Sequence, residues 1–137
     1  MEIKARFDEE RNLHWAAELE RVGAPVTFGV AGLKTHGKVA LVVRKEGSRL
    51  RSYLHVGTGN YHVKTARLYS DIGLLTCDPV LTQDAVNLFH YLTGRTTFPT
   101  CSALLVAPKN MRPRLLQLIQ REGKINKRGS QRELLSR

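Results

Sequence analysis

Two runs rich in branched and aromatic apolar residues, Lys38 to Arg44 and Leu50 to Val56, flank the polar stretch Lys45-Glu46-Gly47-Ser48-Arg49. A glycine-bearing polar stretch between two such runs reads as an antiparallel β-hairpin. This constrains the chain more than anything else in it, because pairing brings whatever precedes the first run to the same sheet edge as whatever follows the second. His36-Gly37-Lys38 stands at the first of these ends, and His55-Val56-Gly57-Thr58-Gly59-Asn60-Tyr61 at the second.

Each end has a chemical reading. In extended backbone, residues i and i+2 point to one face, so the His36 imidazole and the Lys38 ammonium are expected in one pocket. A nucleophile beside a fixed positive charge suits phosphoryl chemistry. The loop with Gly57, Gly59 and Asn60 is able to turn backbone N–H groups toward an anion. His55 stands at the strand end that opens onto this loop; it either lines the pocket or is a hydrogen-bonded sheet histidine. His14 and His90 fall in helical patterns and read as surface or packing residues, and His62 stands beside the glycine loop.

Around the hairpin, Ile3 to Phe7 reads as a short strand. Asp8-Glu9-Glu10 opens a helix in which Trp15, Ala16, Leu19 and Val22 form an apolar stripe ending at Gly23. Val26 to Val30 reads as a strand after Pro25. Lys64 to Leu75 has no clean period and is expected to be extended or irregular. Thr82 to Leu92 reads as a helix capped by Thr82 or Asp78, with Ala85, Val86, Leu88, Phe89 and Leu92 as its apolar face. Asn110 is expected to cap a last helix that tolerates Pro113 in its first turn and turns Leu115, Leu116, Leu118 and Ile119 to a core. Gly123 is expected to break that helix and leave a frayed end.

With 137 residues, 42% of them hydrophobic, the chain has room for one domain with a core and not for two. The net charge of +10 is concentrated: residues 109–137 hold 9 Lys and Arg against 2 Asp and Glu, whereas residues 1–108 hold 13 against 10. Such a tail fits a polyanionic partner (nucleic acid, an anionic membrane surface or a phosphate polymer) and equally a solvated basic helix with no partner. Cys77 and Cys101 lack metal-ligand spacing and read as reduced packing residues. No charged-then-apolar leader and no apolar run near 20 residues is seen, so a soluble cytoplasmic protein is expected, with peripheral membrane association left open.

Four ordered blocks resemble a known family: Lys4-Ala5-Arg6-Phe7-Asp8-Glu9, Gly32 to Lys38, His55 to Tyr61, and Lys64 to Thr76, with Leu105-Val106-Ala107-Pro108-Lys109-Asn110 beyond them. Together they are similar to polyphosphate kinase of the histidine-phosphorylating type, from about Ile3 to Glu122. The resemblance implies an α/β fold of the phospholipase D kind, a half-domain with a mixed sheet and a central antiparallel hairpin flanked by helices over residues 1–122, followed by a basic tail over 123–137. It implies reversible transfer of the terminal phosphate of ATP to polyphosphate through a phosphohistidine at His36, with Mg2+.

Carried over by resemblance, His36 is the nucleophile, Lys38 and Asn60 belong to its pocket with Gly57 and Gly59, Tyr69 contacts ATP, and Arg6 contacts phosphate in the metal region. Lys34, Arg67 and Asp71 are weaker candidates. The wider superfamily has an Asp five residues after the lysine; Val43 stands there, which speaks against a lipase or phosphodiesterase. Gly37 and Cys77 also depart from the more usual small residues. The implied partners are ATP or ADP, polyphosphate and the remaining domains of a longer enzyme, so the isolated chain is expected to lack full activity. A homo-oligomer is compatible with the resemblance, and no specific nucleic acid is expected. Two other readings stay open: a non-catalytic basic module that binds polyphosphate or RNA, and a phospholipase D-type hydrolase completed by a partner subunit's HxK.

Overall fold

The structure, a computed structural model, describes residues 9–97 and 100–135, with side chains described as far as Ile125. The expected strand Ile3 to Phe7 and Arg6 within it lie outside the described residues. Two compact units are present, Met1–Ser102 and Ala103–Arg137.

The first unit is built on the hairpin. Strands β1 (Lys38–Glu46) and β2 (Arg49–Gly57) pair antiparallel with Lys38 opposite Gly57 and Glu46 opposite Arg49. The expected five-residue loop is therefore a two-residue turn, Gly47-Ser48. Gly47 at φ 60° supplies the left-handed backbone that such tight turns need. A third strand, β3 (Gly73–Thr76), pairs antiparallel with β2, Gly73 opposite Gly57. The sheet of described residues has the order β1-β2-β3 and is wholly antiparallel, which corrects the expectation of a mixed sheet.

Register sorts the side chains. Residues opposite one another in a ladder share a face, so Val39, Leu41, Leu54, Val56 and Leu74 fall on one side. Lys38, Ala40, Val42, Tyr53, His55, Gly57, Gly73 and Leu75 fall on the other. The helix packed on β1 and β2 covers the first side, where Leu54 is 1% exposed. On the second side Val42 and Leu75 are exposed. The sheet thus has one face covered around Leu54, with Val43 and Leu74 at its margins exposed, and one open face that carries Lys38 and His55.

Of the four helices among the described residues, α1 (Glu9–Arg21) begins with Glu9 and Glu10 and ends in a Schellman pair, Gly23 N–H to Glu20 O and Ala24 N–H to Leu19 O, both 2.9 Å. Its expected apolar stripe is only partly used: Ala16 is buried, but Trp15, Leu19 and Val22 are exposed. Helix α2 (Val63–Ala66) is a single turn capped by the His62 ring. It departs from the extended or irregular segment expected over Lys64 to Leu75, whereas residues 67–72 are irregular and β3 is extended as expected. Helix α3 (Pro79–Leu92) is the one on the sheet; Asp78 caps it, its Oδ1 accepting from Val80 N–H and Leu81 N–H, with Pro79 in the first turn. Val26 to Val30 is not a strand; it ends in an isolated bridge from Val30 to Leu33.

In the second unit, α4 runs Met111–Leu135. Its helical backbone continues through Gly123, which corrects the expected break: glycine costs a helix about 1 kcal/mol relative to alanine, less than proline does, and does not end it by itself. Asn110 does not cap α4 with its side chain. Its Oδ1 accepts from Val106 N–H (2.6 Å) and its Nδ2 donates to Leu104 O (3.0 Å), closing the loop before the helix. Leu115, Leu116, Leu118 and Ile119 are exposed. Among the described residues no helix is long and apolar enough to cross a membrane.

Candidate active site

The residues before β1 and after β2 meet at one end of the open face, as the hairpin requires. Lys38 is the first residue of β1 and His36 precedes it in extended chain, so both side chains leave on the same side. The Lys38 Nζ lies 3.0 Å from His36 Nδ1 and 3.1 Å from Nε2, and donates to the His36 carbonyl at 2.8 Å. The lone pairs of the two ring nitrogens diverge, so an ammonium nearly equidistant from both is in line with neither. The carbonyl tethers the charge against the imidazole, and either ring nitrogen is left to meet an incoming group. His36 itself is exposed.

Gly57 lies across the ladder from Lys38, and Gly73 across from Gly57. This row of two glycines makes room for His55. A Cβ at Gly73 would meet His55 Nε2 at 2.7 Å, and one at Gly57 would meet its Cε1 at 3.2 Å. Tyr61 then reaches back over the loop, its hydroxyl 2.6 Å from His55 Nδ1 and the two rings 5.5 Å apart. Burial of that end raises the Tyr61 phenol above the ordinary tyrosine value, so it stays a donor, although the residue as a whole is exposed. With Nδ1 accepting, a neutral His55 carries its proton on Nε2. Of the two sequence readings, the hydrogen-bonded sheet histidine is the one seen, placed on the same face as His36 and Lys38. Tyr61 was missed as a functional candidate; its one signal is its place in the glycine block.

Past Gly57 the loop is tied to the chain before β3. Thr58 N–H donates to Ile72 O (3.0 Å), Ile72 N–H donates to the Thr58 Oγ1 (3.1 Å), and that hydroxyl donates to Asp71 Oδ1 (2.9 Å). Gly59 is narrow for a reason other than an anion: a Cβ there would lie 2.6 Å from the Asp71 carboxyl carbon. Asn60 is exposed and its carbonyl accepts from His62 N–H at 2.7 Å. The N–H groups of Gly59, Asn60 and Tyr61 make no hydrogen bond among the described residues.

Other candidates are not drawn in. Tyr69, in the turn after α2, is 68% exposed, and its side chain makes no hydrogen bond or ring contact among the described residues. Arg67 is the C-cap of α2 and, like Lys34, is exposed. Arg6 is outside the described residues. For a divalent cation, no group of three or more His, Cys, Asp or Glu stands close enough to hold one among the described residues. The Asp71 carboxylate beside the loop already accepts from Thr58. The described residues therefore do not fit a protein-built metal cage, and no step is assigned through Mg2+.

Comparison with known proteins identifies relatives of the chain. Residues 1–98 match the family model described as polyphosphate kinase C-terminal domain 1. The polyphosphate kinase of Synechocystis sp. is 55% identical over 122 residues, which is 89% of this chain and 17% of that protein. That of Streptomyces coelicolor is 56% identical over 122 residues, 89% of this chain and 16% of that protein. The crystal structure of polyphosphate kinase from Porphyromonas gingivalis superposes with a TM-score of 0.77 at 39% identity, covering 93% of this chain and 22% of that one. The chain thus spans about a sixth of the length of these curated relatives, and the one family model spans the helix α1, the hairpin with its histidine and lysine, and the glycine loop. It belongs to the polyphosphate kinase C-terminal domain 1 family.

Proposed function

We propose that this chain is the phosphoryl-accepting half-domain of a polyphosphate kinase, of phospholipase D-like architecture over residues 1–122, and that it handles the terminal phosphate of ATP through a phosphohistidine at His36. The observation that carries the reading is the Lys38 ammonium held 3.0 Å from the His36 ring by the His36 carbonyl. A ring nitrogen of neutral His36 attacks the γ-phosphorus in line. The bond from that phosphorus to the β,γ-bridging oxygen breaks, and ADP leaves with the electron pair. In the second half, a terminal oxygen of polyphosphate attacks the same phosphorus and the N–P bond breaks, returning the imidazole.

Phosphoryl transfer asks mainly for alignment and for cations on the equatorial oxygens. Lys38 supplies one such charge in both halves of the cycle. The N–H groups of Gly59 and Asn60, without a hydrogen bond among the described residues, support a role as further donors to phosphate oxygens. Arg6 and Tyr69 enter only through the resemblance, as a phosphate contact in the metal region and an ATP contact. ATP is the substrate, polyphosphate the acceptor and the remaining domains of the longer enzyme the partners; Mg2+ enters only through the resemblance.

The test is to incubate the chain and its His36→Ala variant with γ-labelled ATP or labelled polyphosphate, and to follow acid-labile, base-stable label on protein. Label on the parent and none on the variant is expected. Label that survives the substitution removes His36 from the mechanism, and salt-sensitive polyphosphate binding without label favours a non-catalytic polyanion module.

A further inference from the structure

Among the described residues, Asp71 is hydrogen-bonded to the glycine loop through Thr58. The Thr58 hydroxyl accepts from Ile72 N–H and donates to Asp71 Oδ1, while Thr58 N–H donates to Ile72 O. These three bonds continue the β2–β3 ladder past its last strand pair, Gly57 opposite Gly73. Beyond them Gly59 lies so close to Asp71 that a Cβ would stand 2.6 Å from its carboxyl carbon and 3.0 Å from its Cβ. Asp is short, so an added methyl there has to push the carboxyl off the loop. On the loop side of this contact stand three successive N–H groups, of Gly59, Asn60 and Tyr61, with no partner among the described residues. A segment whose donors are left open but whose root is pinned by three hydrogen bonds is arranged to hold those donors still.

We propose that Thr58 and Asp71 are positioning residues for phosphate binding: together they latch the Gly57–Asn60 loop so that its open N–H groups meet phosphate oxygens beside His36 and Lys38. This deepens the proposed function and rests on it. It also assigns Gly59 a definite task, that of admitting the Asp71 carboxyl. Neither side chain touches substrate. Asp71 acts as an acceptor of the Thr58 proton, and its charge is incidental or unfavourable to a nearby polyanion.

The latch is testable with inorganic tripolyphosphate as the probe, by following the amide NMR signals of Gly59, Asn60 and Tyr61 in the whole chain. Thr58→Val removes the hydroxyl and is expected to weaken the affinity about tenfold. Gly59→Ala should do the same by displacing Asp71. Thr58→Ser keeps the hydroxyl and should bind like the parent. Asp71→Asn keeps an acceptor and loses the charge, so its affinity should equal or exceed that of the parent, an outcome that a merely structural carboxylate would not give.

Thermal unfolding of each variant separates loss of the latch from loss of the fold, and Thr58→Ser with Asp71→Asn keeps the test decisive should Thr58→Val unfold. Parent-like binding by a folded Thr58→Val, or weaker binding by Asp71→Asn, overturns the latch while leaving His36 labelling as it was. A parent chain that shows no loop response to tripolyphosphate and takes no label on His36 overturns both the latch and the reading beneath it.

Discussion

At the scale of single residues, the proposed chemistry rests on one ammonium held against one imidazole. In the proposed mechanism Lys38→Ala removes a charge that would face phosphate oxygens, and by comparison with single electrostatic contacts in other sites the expected loss is roughly 2–4 kcal/mol of barrier, or about 10²- to 10³-fold in the rate of His36 labelling. A rapid-quench time course at saturating ATP reads this directly. A second prediction concerns Tyr53, whose hydroxyl donates to Glu46 Oε1 at 2.6 Å. That bond, with lesser burial, raises the phenol above the ordinary tyrosine value of about 10, while the nearby Arg51 and Arg44 act against the rise. A raised folded value means that the contribution to stability is complete below about pH 10 and is lost as pH climbs through the higher, folded value. Thermal unfolding from pH 8 upward should therefore show a larger alkaline loss in the parent than in Tyr53→Phe. The His36–Lys38 pair was legible from sequence because the spacing of two in extended backbone forces it. The His55–Tyr61 bond was not, since it depends on how the glycine loop folds back, and nothing local to either residue specifies that.

Among elements, the hairpin does most of the organising. Its existence and the meeting of its two ends follow from the runs around Gly47, and the observed register places Lys38 opposite Gly57. The strands extend further than the apolar runs suggested, because Lys45, Glu46 and Arg49 pair across a tight turn at the solvent end, where polar side chains are as acceptable as apolar ones. Helix α3 was legible through its periodicity and its Asp78 cap. Strand β3 was not: Gly73–Thr76 is short and takes its conformation from pairing with β2, and the irregular pattern around it gives no period to read. The two faces of the sheet make opposite predictions. Leu54→Ala empties a fully buried position beneath α3 and should cost about 2–5 kcal/mol in urea unfolding. Leu75→Ala, at a position 81% exposed on the open face, should stay within about 0.5 kcal/mol. Equal costs would mean that α3 is not what covers the sheet.

For the whole molecule, the chain is a family domain that its relatives carry within much longer proteins, since the matched residues make up 17% of the Synechocystis enzyme. Val42 and Leu75 are exposed on its open sheet face, and Trp15 and Leu19 of α1 are exposed as well. The basic excess of residues 109–137 falls mostly on α4, whose helical backbone to Leu135 the Gly123 signal had obscured. The hairpin and the meeting of His36 with Lys38 could thus be read from local spacing, and the α/β fold from the family resemblance, with a sheet that is antiparallel and not mixed; the Thr58–Asp71 bond and the histidine's tyrosine partner arise from how the glycine loop folds back on the sheet. The central claim is that His36 is the atom-level acceptor of phosphate. Its most direct test is mass-spectrometric mapping of the folded chain after incubation with polyphosphate or ATP under alkaline work-up. The account predicts phosphate on the peptide holding His36, at no more than about one per chain; phosphate on His55 or His62 instead, or a folded chain that takes none from either donor, would contradict it.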